Sequence, residues 1–288
     1  MAEILKAKVA VITGGTRGLG LAIAQVYARE GASVVVASRS AASVTAAVRQ
    51  LNEQGGRATG AACDVADLAQ VEAIARLAIE TFGGLDIWVN NAGISAAYGP
   101  TAHIPVEHFA GTIETNIYGT YHGSMVALRR FLPQKRGKLI NLLGRGDREP
   151  VAMQNGYASS KAWVRNFTLA LAKEYRGSGV GVFAFNPGLV KTEMLSQVHA
   201  LSGYEAKVRP LEAVARMWGH RPDVPAKKAL WLASAATDGK TGLEVNVLTP
   251  VVFWRGLLRE AFSRLTGRVP DDMKVQVHTV QPTLKVDF

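Results

Sequence analysis

Cysteine is almost missing from this chain: Cys63 is the one thiol among 288 residues. A disulfide framework and a thiolate metal cluster are both excluded. Cys63 reads as a small buried hydrophobe at a strand end rather than a reactive thiol, and such low cysteine usage fits a reducing cytoplasm. Long apolar runs are missing too, since none reaches the roughly 18 residues of a membrane-spanning helix. The opening Met1-Ala-Glu-Ile-Leu-Lys6 does not read as a signal peptide, because a strand pattern starts within ten residues. His103, His108, His122, His199, His220 and His278 show no ligand spacing, so no metal site is expected. Negative charge is in short supply: 33 Lys and Arg face 23 Asp and Glu, a net charge of +10. That balance suits nucleic acid, anionic lipid or an acidic ligand. The basic residues are dispersed apart from Arg129, Arg130, Lys135, Arg136 and Lys138. No nucleic-acid motif accompanies them, so the expectation is a solvated face and no nucleic-acid partner.

What is present is strand–helix alternation. Strands are expected at Lys8–Thr13, Ser33–Ser38, Arg57–Cys63, Asp86–Asn90, Lys138–Leu143, Val180–Asn186 and Leu243–Leu248. Helical patterns fill Leu19–Glu30, Ala42–Gln54, Asp67–Phe82, a long stretch Val106–Leu132, and Tyr157–Tyr175. Such order demands a parallel sheet covered on both faces, an α/β fold with one doubly wound, Rossmann-type sheet. Glycines punctuate the elements, at Gly31, Gly55-Gly56 and Gly83-Gly84 among others, and no internal repeat is evident. Residues 1–250 are read as one cofactor-binding catalytic domain. Within it the irregular segment 188–222 is expected to be a substrate lid, because it leaves the carboxyl end of a late strand. Residues 251–288 form a C-terminal extension, a helical tail in which Val251, Trp254, Leu258, Phe262 and Leu265 recur at helical spacing among arginines. Packing on its own domain or on a subunit is the expected use of that tail. Peripheral contact with a membrane surface is the alternative.

Thr13-Gly14-Gly15-Thr16-Arg17-Gly18-Leu19-Gly20 follows the first strand and opens the first helix. Gly14 permits a tight turn, Gly18 lets a pyrophosphate approach the backbone, and Gly20 lets helix pack on strand. The helix N-terminus would then supply amide donors to the phosphates. At the end of the second strand stands Ala37-Ser38-Arg39-Ser40, with no carboxylate for a ribose 2′-hydroxyl. Arg39, helped by Arg17, can fork onto a 2′-phosphate, which points to NADP(H); two surface arginines are the alternative.

Tyr157-Ala-Ser-Ser-Lys161 begins a helix and puts a lysine one turn beyond a tyrosine. Its ammonium would favour the phenolate and bring the tyrosine nearer working pH.

Taken together, residues 6–250 or so resemble the short-chain dehydrogenase/reductase family. Thr13–Gly20 looks like its cofactor turn, with Thr16 and Leu19 inside it, and Asp64-Val65 matches its adenine-contacting stretch. Asn90-Asn91-Ala92-Gly93 resembles the motif that steadies the sheet and borders the cofactor. Asn116 matches a helix asparagine serving a proton relay, and Tyr157 and Lys161 match the catalytic pair. Pro187-Gly188, Val190 and Thr192 resemble the segment that holds the nicotinamide carboxamide. The resemblance also implies a homodimer or homotetramer, built through the helices containing Asn116 and Tyr157, with Trp163 and Phe167 either at that contact or in the core.

One position departs from the family. Its catalytic serine would lie thirteen residues before the tyrosine, where this chain has Gly144. Losing such a donor costs about 10²–10³ in rate. Gln154, Asn155 or a backbone N–H near Gly144 could replace it. The stretch Asn141-Leu142-Leu143-Gly144-Arg145-Gly146 and the later Asn186–Thr192 and Val245–Pro250 resemble the chlorophyll(ide) b reductase branch. That narrower likeness implies a formyl group on a bulky tetrapyrrole as substrate, with Gly144 making room for it. The expectation is therefore an NADPH-dependent oxidoreductase reducing a bulky carbonyl or formyl compound to an alcohol. The rival is a non-catalytic NADP-binding regulator or scaffold.

Overall fold

The computed structural model describes residues 3–266 and 273–283. In chain order the elements are β1 Val9–Thr13, α1 Gly18–Arg29, β2 Ser33–Ser38, α2 Ala41–Glu53, β3 Arg57–Ala62, α3 Leu68–Phe82, β4 Ile87–Asn90, α4 Val106–Ile113, α5 Gly119–Phe131, β5 Gly137–Leu142, α6 Asn155–Glu174, β6 Val180–Asn186, α7 Glu193–Ser196, β7 Gln197–Leu201, α8 Leu211–Trp218, α9 Asp223–Ala233, β8 Glu244–Asn246, α10 Pro250–Thr266 and β9 Gln276–Val280.

Seven strands build one parallel sheet in the order β3-β2-β1-β4-β5-β6-β8. β1 and β4 are buried along their whole length, and so are all but the last residue of β6. Their sequences are apolar without alternation because both faces are covered. One face packs Ile23 and Tyr27 of α1, Val44 and Leu51 of α2 and Ala226 and Leu232 of α9. The other packs Val71 and Ile74 of α3, Ala127 and Phe131 of α5, and Leu171 of α6. Helix starts are set locally: Ser40 Oγ accepts from Ser43 N at 3.2 Å, and Asp67 Oδ1 accepts from Ala69 N at 2.9 Å. Strand order reverses beside β1, between β2 and β4, and a crevice opens there at the carboxyl ends of the strands.

Four expectations change. The long helix predicted over 106–132 is interrupted by a π-helical turn at Glu114–Tyr118, where Asn116 turns fully inward. Segment 188–222 is not irregular: it holds α7, β7 and α8. The tail is not helical throughout, because β9 pairs in parallel with β7 as a separate two-stranded sheet. Finally, a short repeat does exist. Gln197-Val198-His199 and Gln276-Val277-His278 carry the same residues and lie opposite each other in register. Five half-exposed, largely polar residues give too short an alternation to read as a strand. Among the described residues no helix is long and apolar enough to cross a membrane.

Candidate functional site

At the carboxyl end of β1 the chain turns through Gly14 and Gly18, both in the left-handed region at φ +62° and +54°. A Cβ on Gly14 would come within 3.0 Å of Ala92 Cα, and one on Gly20 would overlap the Gly14 carbonyl and the Asn91 amide. Asn91 fixes this turn: its Nδ2 donates to Thr13 O at 2.9 Å and Gly14 O at 3.0 Å. Thr13 Oγ1 accepts from the N–H groups of Asn91 and Ala92, each at 3.1 Å. Arg17, at the N-cap of α1, makes no side-chain cap bond. The result is a cradle of bare backbone at a helix N-terminus, which fits a pyrophosphate. Thr16 lies in this turn and Leu19 in the first turn of α1. Ser38 ends β2 and the exposed Arg39 follows it. Asp64 Oδ1 caps the next turn by accepting from Ala66 N at 3.0 Å, and Val65 packs on Gly119. Arg17 is already engaged, with Nη1 2.6 Å from Glu193 Oε2 of α7.

The stretch Ala92-Gly93 links this cradle to the second cluster. On one side Ala92 abuts Gly14; on the other, a Cβ on Gly93 would lie 3.6 Å from Lys161 Nζ. Lys161 is buried and donates to Leu142 O at 3.0 Å. Burial pushes its pKa down to about 8, with the Asp147 carboxylate opposing. Tyr157 stands at the start of α6, half-buried, with the Lys161 ammonium 5.7 Å from its ring centroid. Burial pushes the phenol up to about 12, and Asp147 adds to the rise. Burial thus outweighs the ammonium that was expected to lower the tyrosine, and Lys161 Nζ donates instead to the Leu142 carbonyl.

Gly144 is corrected as well. A Cβ there would overlap the Tyr157 hydroxyl oxygen. The space vacated by a serine is therefore filled by the phenol and offers no room to a bulky substrate. Asn155, one suggested substitute, donates to Thr101 Oγ1 at 3.3 Å and accepts from Ser159 Oγ at 2.8 Å. With Gln154 it lines a cavity of about 10 Å³ against Tyr157, closed by Ala97, Gly99, Phe109 and Met153. That is room for about one water.

Asn116 spends both of its amide protons and one acceptor site within the protein. Its Oδ1 accepts from Ile94 N at 2.9 Å, and its Nδ2 donates to Ile94 O and Ser160 Oγ, each at 2.9 Å. It pins the loop after β4 to α6. Pro187, Gly188, Val190 and Thr192 leave β6 towards the same crevice; Gly188 has φ +68°, and Thr192 stands at the N-cap position of α7 without a side-chain cap bond. A Cβ on Gly18 would meet Thr192 Cγ2 at 3.1 Å, so this segment closes over the glycine turn.

Two residues escape sequence reasoning. Asn186 Nδ2 donates to Asp147 Oδ2 at 3.2 Å while its Oδ1 accepts from Gly188 N at 2.9 Å. The two ligand-facing loops are thereby joined. Asp147 is the carboxylate that bears on both Tyr157 and Lys161. Its signal is faint: a Gly-x-Gly-Asp turn whose Gly146 has φ +94° and packs on Ala158. Among the described residues no three His, Cys, Asp or Glu gather as metal ligands.

Residues 8–201 match the short chain dehydrogenase family. The chain is 35% identical over 249 residues to 3beta-hydroxysteroid dehydrogenase 1 of Eggerthella lenta, covering 86% of this chain and 94% of that one. It is similar to the crystal structure of 3-ketoacyl-(acyl-carrier-protein) reductase from Brucella melitensis complexed with NADH. That match has a TM-score of 0.75 and 27% identity, over 84% of this chain and 97% of the other. It is similar also to the crystal structure of a single-residue variant of actinorhodin polyketide ketoreductase with NADPH. There the TM-score is 0.76 and the identity 28%, over 83% of this chain and 95% of the other. With the sheet, glycine turn and Tyr157–Lys161 pair in place, the chain belongs to the short-chain dehydrogenase family and is an oxidoreductase acting on alcohol and carbonyl groups.

Proposed function

We propose that this protein reduces a carbonyl or formyl group to an alcohol with NADPH as its cofactor. The observation that carries this reading is the Ala92-Gly93 stretch, which touches the glycine cradle on one side and Lys161 on the other. A dinucleotide laid on the cradle is thereby aimed at the phenol. Gly14, Thr16, Arg17, Gly18, Leu19 and Gly20 would hold the pyrophosphate, Ser38, Arg39, Asp64 and Val65 the adenosine end, and Asn91, Ala92, Gly93, Pro187, Gly188, Val190 and Thr192 the nicotinamide end. When bound, the nicotinamide supplies a hydride. Tyr157 holds a proton at its Oη, which burial keeps in place at neutral pH, and gives it to the nascent alkoxide. Lys161 orients the ribose and carries charge below about pH 8. Asn116 positions the wall at Ile94.

Arg39 without a neighbouring acid supports NADPH over NADH. A retained Tyr157–Lys161 pair argues against a mere NADP-binding scaffold, which needs no proton donor. The tetrapyrrole substrate draws no support from the relatives above, and segment 188–222, expected as a lid, lends no residue to the lining of the cavity at Tyr157. NADPH oxidation across small ketones and bulky aldehydes tests the reading. Turnover that Tyr157→Phe leaves untouched would overturn it.

A homo-oligomer is supported by Phe109, Tyr118 and Tyr121, exposed on α4, the π turn and α5, next to Trp163 and Phe167, which stack at 4.6 Å on α6. The buried Cys63, its thiol pushed up to about 11 by burial, suits a reducing cytoplasm. For membrane contact the support is α10 itself, which turns Gly256 and Glu260 inward and Val251, Trp254 and Leu258 outward, each more than half exposed. The Arg216–Glu260 pair, with bonds of 2.8 and 2.9 Å, fixes that rotation. Arg255 beside the outward stripe and the +10 net charge favour an anionic lipid surface. Flotation with anionic but not neutral vesicles, lost in Trp254→Ser/Leu258→Ser, checks it.

A further inference from the structure

We propose that β9, residues Gln276–Val280, is a clamp that holds the substrate cleft narrow and so decides what size of carbonyl compound reaches Tyr157. The inference rests on the reductase reading for its substrate, but not for the clamp itself. Contacts run in layers outward from the cavity. Ala97, Gly99 and Thr101 line it opposite Tyr157. Tyr98, between them, is bonded on both sides to β7: Tyr98 N donates to His199 O at 2.8 Å, and Leu201 N to Tyr98 O at 2.9 Å. Leu201 is buried against Gly99, where a Cβ would overlap it, and Gly99 N donates across the cleft to Met153 O at 2.9 Å. β7 thus stands behind the Tyr98–Gly99 wall of the cavity, and β9 backs β7 through five register pairs. A bond from Ser202 N to Val280 O at 2.9 Å and one from Gln197 Nε2 to Gln276 Oε1 at 2.9 Å close the two ends. Beyond β9, Val275 N donates to Glu212 Oε1 of α8 at 2.9 Å, and Thr283 N to His103 O at 3.3 Å. The strand is therefore tied to the main body at both of its flanks.

The grip is sensitive to protons. His199 and His278 stack across the β7–β9 pair, with ring centroids 5.2 Å apart. His278 Nε2 also bonds Gln197 Oε1 at 2.5 Å. Facing them from α4 is His108, and at the edge of β9 Glu205 accepts from Thr279 Oγ1; Lys274, just before β9, and Glu212 are the other nearby charges. Burial, then His278, then His108 hold His199 below its ordinary value. The clamped form therefore favours the neutral His199 imidazole. Its contribution is present above the ordinary imidazole range and is lost as pH falls through the lowered value. Acid should therefore release the strand and widen the cleft.

Hydrogen–deuterium exchange on the full chain decides the clamp without reference to catalysis. Amides 276–280 should exchange several-fold faster, up to about tenfold, at about pH 5.5 than at pH 7.5 after correction for intrinsic rate, with the main sheet unchanged. His199→Gln/His278→Gln should abolish that difference. Equal protection at both pH values, or the same response in the double variant, overturns the proton-sensitive clamp. Size selection is read from Val280→Pro, which removes an amide from this edge strand. Once exchange shows the strand released, kcat/KM for a bulky aryl aldehyde relative to a small ketone should rise about tenfold, with KM for NADPH constant. An unchanged ratio in a released strand overturns size selection. A wild-type protein inactive on every carbonyl sinks the reductase reading instead.

Discussion

At the cofactor end of the sheet the backbone has nowhere to go: Gly14, Gly18 and Gly20 leave no room for a side chain, and Asn91 bonds the turn from behind. At the substrate end, walls are held by side-chain ties, with Asn186 on Asp147 and Gln197 on Gln276. Arg148 and Arg165 share Glu244 of β8 across the loop between them. The first region needs one shape because every dinucleotide presents the same phosphates. The second can be retuned one bond at a time. Rigid backbone recognises what is constant, and replaceable side-chain ties accommodate what varies.

The contrast can be broken in several ways. Tyr157→Phe should lower kcat by about 10²–10⁴ while leaving NADPH affinity alone, measured by stopped-flow reduction and by cofactor fluorescence. Gly20→Val should cost about 100-fold in NADPH affinity, since its side chain meets the Gly14 carbonyl and Asn91; affinity within twofold of the parent would show that the turn is not rigid. Gly144→Ser restores the family's serine and should nonetheless reduce kcat by about tenfold, because the new side chain displaces the Tyr157 hydroxyl. A gain in kcat would mean that the phenol moves aside freely. Arg39→Ala should raise KM for NADPH by about tenfold and leave that for NADH unchanged.

The smallest effect is a matter of pH. Burial lowers Lys161 to about 8, so its charge is lost as pH rises through that value. A plot of kcat/KM against pH should bend downward there, and Lys161→Arg, which stays charged, should remove the bend. A profile flat to about pH 10 in the parent, where an unperturbed lysine titrates, would mean that the ammonium is better supported than its carbonyl contact suggests.

The sheet and the cradle were legible because they follow from local rules. Short β-branched apolar runs such as Val9–Thr13, alternating with helical patterns, read as central strands, and glycines at fixed spacing after such a strand announce a close approach. Lys161 was found by its spacing from Tyr157 and Asn116 by the family resemblance, although the partners that engage them, Leu142 and Ile94, were not. The substrate end resisted because its contacts are distant in sequence. Asn186 reaches Asp147 across 39 residues, and Gln197 reaches Gln276 across 79. No periodicity records such pairs. The meaning of Gly144 likewise depended on where a neighbouring helix delivers Tyr157, a fact of packing rather than of pattern.

The parallel pairing of β7 with β9 carries a consequence for how the molecule comes into being. β9 is synthesised after every strand of the main sheet, and its partner waits for it across an intervening α8, α9, β8 and α10. Bringing such remote segments together is slow and follows collapse of the rest. A nascent chain would thus complete its dinucleotide crevice while its substrate side still gapes. A trapped folding intermediate should retain coenzyme and discriminate poorly among aldehydes.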